Sequence, residues 1–517
     1  MKRKLTALIC SLVAALTFVF AAIGFTACKK GDEPLKLLEE NILDDNYDNY
    51  YEIFVYSYND SNGDGYGDLN GITEKLDYIR DLGYTGIWLM PIMPSASYHG
   101  YDVTDYYNVN SRYGTLDDYS NLITAAHEKG VKVIIDLVVN HTSSQHPWFK
   151  SAVRYKNGSG QGDDAKYADW YTFSNTAQPK FHKNGSVYYE GQFDAGMPDL
   201  NLENEQVKAE IDNIIKFWIN KGTDGFRLDG CLYYSGSGGV NAKSVDVCKF
   251  IKDTAVKYNP KAYIVGEAWA DKGAIESFYE SGADSFFYFP GAGSGSIGKS
   301  VLSKSALELY AAMRECNEIA KGNIPAPFLS NHDNGIARIA ARMSKDEDKV
   351  KFAYGLLSLF SGSTFTYYGD EIGMVAKNAT SDPDLRVGML WDNSGVQTKL
   401  PSGASGQASF LFGSVADQLK NNNSILNYYK LCNNARNAFP ALMRGTVSRT
   451  KKDDSSILYI TKTYKDEAIK IVVNLADTSK TVEEIEGTLA QSICVSGKIK
   501  QSGTTLSMPK YSIAILT

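Results

Sequence analysis

The chain is short of cysteine and of net positive charge, and each shortage removes a class of function. Seven cysteines occur in 517 residues, and Cys10 and Cys28 fall within the N-terminal leader. The others, Cys231, Cys248, Cys316, Cys432 and Cys494, are scattered, show no metal-ligand spacing and are odd in number. That excludes a disulfide framework and reads as mostly buried thiols. Lys and Arg total 53 against 60 Asp and Glu, a net charge of -7. Without a basic excess there is no broad electrostatic attraction to nucleic acid or to an anionic membrane surface. What remains, 43% hydrophobic, 12% aromatic and 22% charged, is the mix of a globular protein long enough for two or three domains.

The leader is the one long apolar run. Lys2, Arg3 and Lys4 precede an almost uncharged stretch over residues 5–27 that ends on Thr26-Ala27-Cys28. This pattern reads as an export signal; an uncleaved membrane anchor is the alternative, since the run is long enough to span a bilayer. The small residues before Cys28 resemble a bacterial lipoprotein signal, with Phe25 where that pattern usually has Leu. The resemblance implies a lipidated Cys28 at the start of the mature chain and a cell-surface, lipid-anchored location. Residues 1–27 are thus expected to be signal peptide and 28–49 a polar tether.

From residue 50 onward, short runs rich in β-branched and aromatic residues alternate with segments of helical period. Eight strands are expected, at 51–58, 84–91, 131–139, 225–230, 262–269, 285–290, 327–333 and 364–369. Helical spacing is clearest over 116–129, 205–220 and 346–360. Eight strands with crossover helices predict an α/β fold, a closed (β/α)8 TIM barrel over 50–140 and 199–438, whose active site lies at the strand C-terminal ends. The aperiodic stretch 141–198 is too long for an ordinary loop and is expected to be a small inserted domain over the barrel mouth. After residue 439 closely spaced strands without helices predict a C-terminal antiparallel β-sandwich over 439–517.

The acids carry the chemistry. Asp229, Glu267 and Asp333 each stand at the C-terminal end of an expected strand, the fourth, fifth and seventh, and those ends converge in a barrel. Arg227 and Asp229 are two residues apart on one strand and share a face, so a fixed positive charge beside Asp229 is expected to lower its pKa and keep it ionised. Ala268, Trp269 and nearby negative charge are expected to raise Glu267.

On these residues the sequence resembles the alpha-amylase family, glycoside hydrolase family 13. Asp136-Leu-Val-Val-Asn-His141, Gly225-Phe-Arg-Leu-Asp-Gly230, Gly266-Glu-Ala-Trp269 and Phe328-Leu-Ser-Asn-His-Asp333 match its four main motifs in order and spacing. Tyr84-Thr-Gly-Ile-Trp-Leu-Met-Pro91, Met197-Pro-Asp-Leu-Asn201 and Tyr367-Tyr-Gly-Asp-Glu-Ile-Gly373 extend the match. The segment Met197-Pro-Asp-Leu-Asn201 is similar to that of the subgroup between oligo-1,6-glucosidases and neopullulanases. The resemblance implies Asp229 as nucleophile, Glu267 as general acid/base and Asp333 as the acid that binds sugar hydroxyls and favours the distorted transition state. It further implies sugar contacts from His141 and His332 and a stacking platform from Tyr101. Arg386 is expected to pair with Asp102 near the glycone site. Retaining cleavage would need the two working carboxyls about 5 to 5.5 Å apart.

Asp60, Asn62, Asp64 and Asp68, with the Tyr66 carbonyl, offer oxygens at alternate positions of one loop, a donor set suited to calcium. Gly71 stands where an EF-hand would have its bidentate Glu, and the competing reading is a solvated turn. A second calcium site is doubtful: Asn140 offers one ligand, but Tyr233 and Leu232 replace the family's His and Lys. Gly230 after the nucleophile implies α-1,4-linked glucans, where relatives that cut α-1,6 branches usually have Val. The first reading is a monomeric, retaining α-amylase-type hydrolase of starch or maltodextrin. The second is a chain-end α-glucosidase, neopullulanase-like or transglycosylating enzyme on the same scaffold, and the third a non-catalytic glucan-binding lipoprotein.

Overall fold

The computed structural model describes residues 35–236, 238 and 241–517. The export signal and Cys28 lie outside the described residues. Among those described, no helix is long and apolar enough to cross a membrane. Residues Leu37–Thr517 form one compact unit.

Its centre is a curled parallel sheet. The strands are β1 (Asn49–Ile53), β2 (Gly86–Leu89), β3 (Lys132–Leu137), then β4 (Phe173–Ser174), β5 (Phe181–Asn184) and β6 (Val187–Glu190) of the insertion. Next come β7 (Gly225–Leu228), β8 (Tyr263–Gly266), β9 (Ser285–Phe286) and β10 (Thr364–Tyr367). The central order is β10-β1-β2-β3-β7-β8-β9, every pair parallel. The segment expected as the seventh strand, 327–333, forms no ladder. It closes the ring through single parallel bridges, Phe287 to Ala326 and Phe328 to Phe365. Pro325 and Pro327 lack the N–H donors a ladder there would need. The first strand also differs from expectation, ending at Ile53 and turning into a short helix, Val55–Tyr58. There the backbone carbonyls of Ser57 and Tyr58 accept from Met389 N and Trp391 Nε1, so tertiary partners outweigh the strand propensity of the run.

The crossover helices follow their spacing closely. Leu116–Glu128 begins at a Thr115–Asp118 capping box, and Glu205–Asn220 is capped by Asn204. The second buries Val207, Ile211, Ile214, Ile215 and Trp218 on one face, each contributing roughly 1.5–3 kcal/mol. The third helix runs Glu347–Leu357.

The insertion holds the helix Pro147–Lys156 and a small antiparallel sheet, β4-β6-β5. Antiparallel bridges from His141 to Asp199 and from Tyr171 to Leu200 tie its two ends to each other and to the barrel. The C-terminal strands are β11 (Thr446–Thr450), β12 (Ile457–Tyr464), β13 (Glu467–Asn474), β14 (Lys480–Val482), β15 (Leu489–Cys494), β16 (Lys500–Ser502), β17 (Thr505–Met508) and β18 (Ser512–Leu516). They form two antiparallel sheets, β11-β12-β13-β18-β15 and β14-β17-β16. Alternation assigns the faces: Ile457, Tyr459, Val472 and Leu516 pack with Val482, Leu506 and Met508 between the sheets. Leu458, Ile460, Ile471 and Ile515 join the barrel's own core.

Residues expected as a free tether are partly docked. Leu38 exchanges hydrogen bonds with the Asn434 amide, Asn41 N donates to Asn437 O, and Arg444 pairs with Asp45 at 2.6 Å. Asp48 is buried between Lys132 and Thr85. The described cysteines are all free; four are buried and Cys494 is half-buried.

Candidate active site

Strand register brings two of the three acids together. In the β7/β8 pair Leu228 lies opposite Gly266, so the next residues, Asp229 and Glu267, emerge side by side at the strand ends. Glu267 N donates to Leu228 O at 2.9 Å and Gly230 N donates to Glu267 Oε2 at 3.0 Å. Gly230 has φ +53, and a Cβ there would stand 2.9 Å from the Phe193 ring of the insertion. The turn after Asp229 therefore requires glycine for its left-handed backbone and for the close approach of Phe193.

Arg227 organises the floor. Its Nη1 lies 2.5 Å from Asp136 and 2.7 Å from Asp229, and its Nη2 lies 2.9 Å from Glu267. One buried guanidinium thus holds both acids side by side, backed by Asp136, which also accepts from Trp88 Nε1 at 2.9 Å. Asp333 faces them from the irregular seventh segment. Arg386 Nη2 lies 3.2 Å from its carboxylate, and the Asn331 amide donates to it at 3.3 Å. All three acids line one open pocket of about 280 Å³, shared with Tyr101, His141, His332 and Arg386.

Burial sets the charge states. It pushes Asp229 up, against the expected lowering, because desolvation outweighs the opposing pull of Arg227 and Arg386. Glu267 is also pushed up by burial, and the negative charge of Asp229 raises it further. Arg227 pulls against burial at both acids, joined by Arg386 at Asp229 and by the Gly230 N–H at Glu267. Asp333 is pushed up to about 7 by burial and by the Glu267 charge. His99 and His141 are pushed down to about 4 by burial and stand neutral.

Tyr101 and His332 form one stacked unit, ring centroids 5.6 Å apart, with the Tyr101 hydroxyl 2.7 Å from His332 Nε2. On the other edge His332 Nδ1 meets Glu52 Oε1 at 2.5 Å. Burial raises Glu52 and lowers His332, so desolvation favours the neutral form of each. Glu52 and Asp136 were not among the expected site residues. The signal was a lone acid inside an apolar barrel strand, Tyr-Tyr-Glu52-Ile-Phe for the first.

The expected Arg386–Asp102 pair is not formed. Asp102 accepts from Ser95 Oγ at 2.6 Å, from Ser97 and from Ser143 at 3.5 Å. Arg386 instead binds Asp333, the His332 carbonyl at 3.0 Å and Asp382 at 3.6 Å. Three serines already satisfy Asp102, and Asp382, four residues before Arg386, steers the guanidinium toward Asp333.

In the loop after β1, Asp60 accepts from the Asn62, Gly63 and Gly65 amides, Asn62 from Asp64 N, and Asp64 from Tyr66 N. Asp68 caps the helix Leu69–Glu74 and accepts from Ser61 N and Oγ across the loop. The donor chemistry suits a hard cation. Among the described residues, however, no group of three or more His, Cys, Asp or Glu side chains is gathered to hold a metal. Asn140 uses its amide on Asp199 and Tyr233 packs on Phe193.

Residues 52–445 match the alpha-amylase catalytic domain family. Alpha-amylase 3 of Dictyoglomus thermophilum is 38% identical over 444 residues, covering 82% of this chain and 84% of that protein. Maltase A1 of Drosophila melanogaster is 29% identical, covering 84% and 88%. Among solved structures, Eubacterium rectale Amy13B superposes with a TM-score of 0.87 at 36% identity, covering 92% of this chain and 96% of that one.

Proposed function

Because this chain belongs to the alpha-amylase family of glycoside hydrolases, we propose that it cleaves α-1,4-glucosidic bonds in starch, maltodextrin or related α-glucans with retention of configuration. The observation that carries this reading is the single guanidinium of Arg227 holding Asp229 and Glu267 at 2.7 and 2.9 Å. Two carboxyls so placed suit a short spacing and a double displacement. Asp229 attacks the anomeric carbon as its bond to the leaving oxygen breaks, and Glu267 gives that oxygen its proton. Glu267, now ionised, takes a proton from water, whose oxygen displaces Asp229 from the sugar. Asp333, with Arg386 behind it, binds the ring hydroxyls, and Tyr101 supplies a face for the ring.

Hydrolysis of soluble starch by Asp229→Asn and Glu267→Gln tests this. Both are expected to lose several orders of magnitude in kcat with the fold intact. Undiminished hydrolysis by Asp229→Asn would remove Asp229 from the chemistry. The maltase among the relatives supports a second reading, chain-end cleavage. Early products from maltoheptaose separate the two: mixed oligosaccharides for internal cutting, glucose and maltohexaose in equal amounts for chain-end cutting.

Calcium at the loop formed by Asp60, Asn62, Asp64, Tyr66 and Asp68 belongs to the same proposal. Its support is the set of alternating oxygens; binding requires the carboxylates to exchange backbone donors for the ion. Export, with lipid attachment at Cys28 as the chain's contact with a membrane, rests on the basic and apolar leader. The chain is proposed to work as a monomer.

A further inference from the structure

We propose that Glu52, which does not line the catalytic pocket, is a positioning residue of the reaction. From inside the barrel it braces His332 and, through one internal water, Arg227. This inference rests on the reading of the site as a retaining α-glucan hydrolase. Glu52 shares a face of β1 with Tyr50, whose ring stacks on Tyr263 and Phe365 across the barrel interior at 5.3 and 4.9 Å, so its side chain points inward. It is 1% exposed. A carboxyl among aromatic rings is costly to bury unless its partners are well placed, and here both partners belong to the site.

The first partner is His332. Its Nδ1 lies 2.5 Å from Glu52 Oε1, while its Nε2 faces the Tyr101 hydroxyl at 2.7 Å and Asp333 at 3.5 Å. The segment that carries His332 and Asp333 forms no ladder, so strand hydrogen bonds do not fix its end. Side chains do so instead: Arg386 holds the His332 carbonyl at 3.0 Å, and Glu52 holds its ring from within the barrel. Without that tie the imidazole is free to turn, and Tyr101 and Asp333 lose the group against which they are set.

The second partner is Arg227. Its Nη1 and Nη2 are taken by Asp136, Asp229 and Glu267, but its Nε is buried without a hydrogen-bond partner. Arg227, Glu52, Glu267 and Asn331 meet around an internal cavity of about 10 Å³ whose remaining walls are aromatic. That is just room for a single water, and the polar groups needed to hold one are present. A water there accepts from Arg227 Nε–H and donates to a carboxyl oxygen of Glu52, giving the guanidinium one more point of support. Two carboxyls in the wall disfavour an anion.

The test measures kcat and KM on maltoheptaose, per folded protein, for Glu52→Gln and Glu52→Leu. Glu371→Leu is the control for loss of a buried acid away from the pocket, since Glu371 meets Tyr51 and Tyr78. Glu52→Leu is expected to lose about 10²-fold in kcat with little change in KM, the effect of a misplacement of about 1 Å. Glu52→Gln is expected to keep kcat within about threefold, because an amide offers both a donor and an acceptor. Glu371→Leu is expected to melt lower and keep its kcat. Glu52→Asp, one methylene short of His332, falls between the two Glu52 variants, and it decides the matter should Glu52→Leu fail to fold. A high-resolution crystal structure of the wild type is expected to show one water within hydrogen-bond distance of both Arg227 Nε and Glu52. A kcat kept by Glu52→Leu, a fall in Glu52→Gln as deep as in Glu52→Leu, an equal fall in Glu371→Leu, or a cavity that holds an anion or stays dry overturns the brace. A wild type that does not hydrolyse maltoheptaose overturns the proposed function instead, and the occupant of the cavity then still decides the water.

Discussion

Replacing Arg227 with methionine removes the charge around which the site is arranged while keeping an unbranched stem in the barrel. Three carboxylates lose a partner at once: Asp136 at 2.5 Å, Asp229 at 2.7 Å and Glu267 at 2.9 Å. For charge centres about 4 Å apart at an effective dielectric near 20, each attraction is worth about 4 kcal/mol, or close to three pK units. Burial then raises Asp229 with only Arg386 opposing it. On the proposed mechanism Asp229 attacks as its anion, so the acid limb of kcat/KM is expected to move upward by about two to three pH units, with activity recovering as pH rises. Stability should fall by roughly 3–5 kcal/mol where the orphaned carboxylates are ionised, and by less where they are protonated. The assay is the pH profile of kcat/KM on maltoheptaose, paired with urea unfolding at pH 5 and pH 8. A folded Arg227→Met protein whose acid limb stays in place would refute the electrostatic argument.

Glu371, buried against the Tyr51 and Tyr78 hydroxyls, is pushed up to about 7 by desolvation. A carboxyl raised on folding contributes stability below its unfolded pKa and loses it as pH rises toward 7, on the order of 3 kcal/mol here. Glu371→Gln should therefore flatten the fall in urea stability between pH 4 and pH 8; an unchanged slope would assign that fall to other groups. If the loop after β1 holds calcium, a chelator should lower the melting temperature of the wild type and leave Asp60→Ala/Asp64→Ala unaffected, whereas an equal response of both would remove the loop as the site. A chain beginning at Leu37 should melt with the full-length protein, and one beginning at Asn49 several degrees lower, because the latter loses Asp45 from Arg444 and Asp48 from Lys132 and Thr85. Equal melting of the two would mean that residues 37–48 stabilise nothing.

Strands were legible in the sequence wherever a β-branched run faced helices on one side and the barrel interior on the other, as at Lys132–Leu137 and Gly225–Leu228. Where the run carried prolines, at Pro325 and Pro327, the same composition gave two bridges in place of a ladder. Where distant carbonyl partners intervened, at Val55–Tyr58, it gave a helix. The acids were readable because three of them fall at the C-terminal ends of expected strands, and the β7/β8 register makes two of those, Asp229 and Glu267, neighbours. Pairings between loops were not readable. Nothing in the spacing says that three serines satisfy Asp102, or that Arg386 reaches Asp333. The depressed pKa expected for Asp229 failed for a related reason: the sequence shows the neighbouring arginine but not how far the pocket excludes water. Glu52 was passed over because only the folded barrel shows which face of β1 meets His332.

The account stands on Asp229 forming a bond to the sugar while Glu267 handles the proton. The direct measurement is to trap the enzyme with a slow fluorinated α-glycosyl fluoride and locate the adduct by peptide mass spectrometry. A single glycosyl unit on Asp229 is predicted. An adduct on another residue, or turnover through β-configured first products with no adduct, would contradict it.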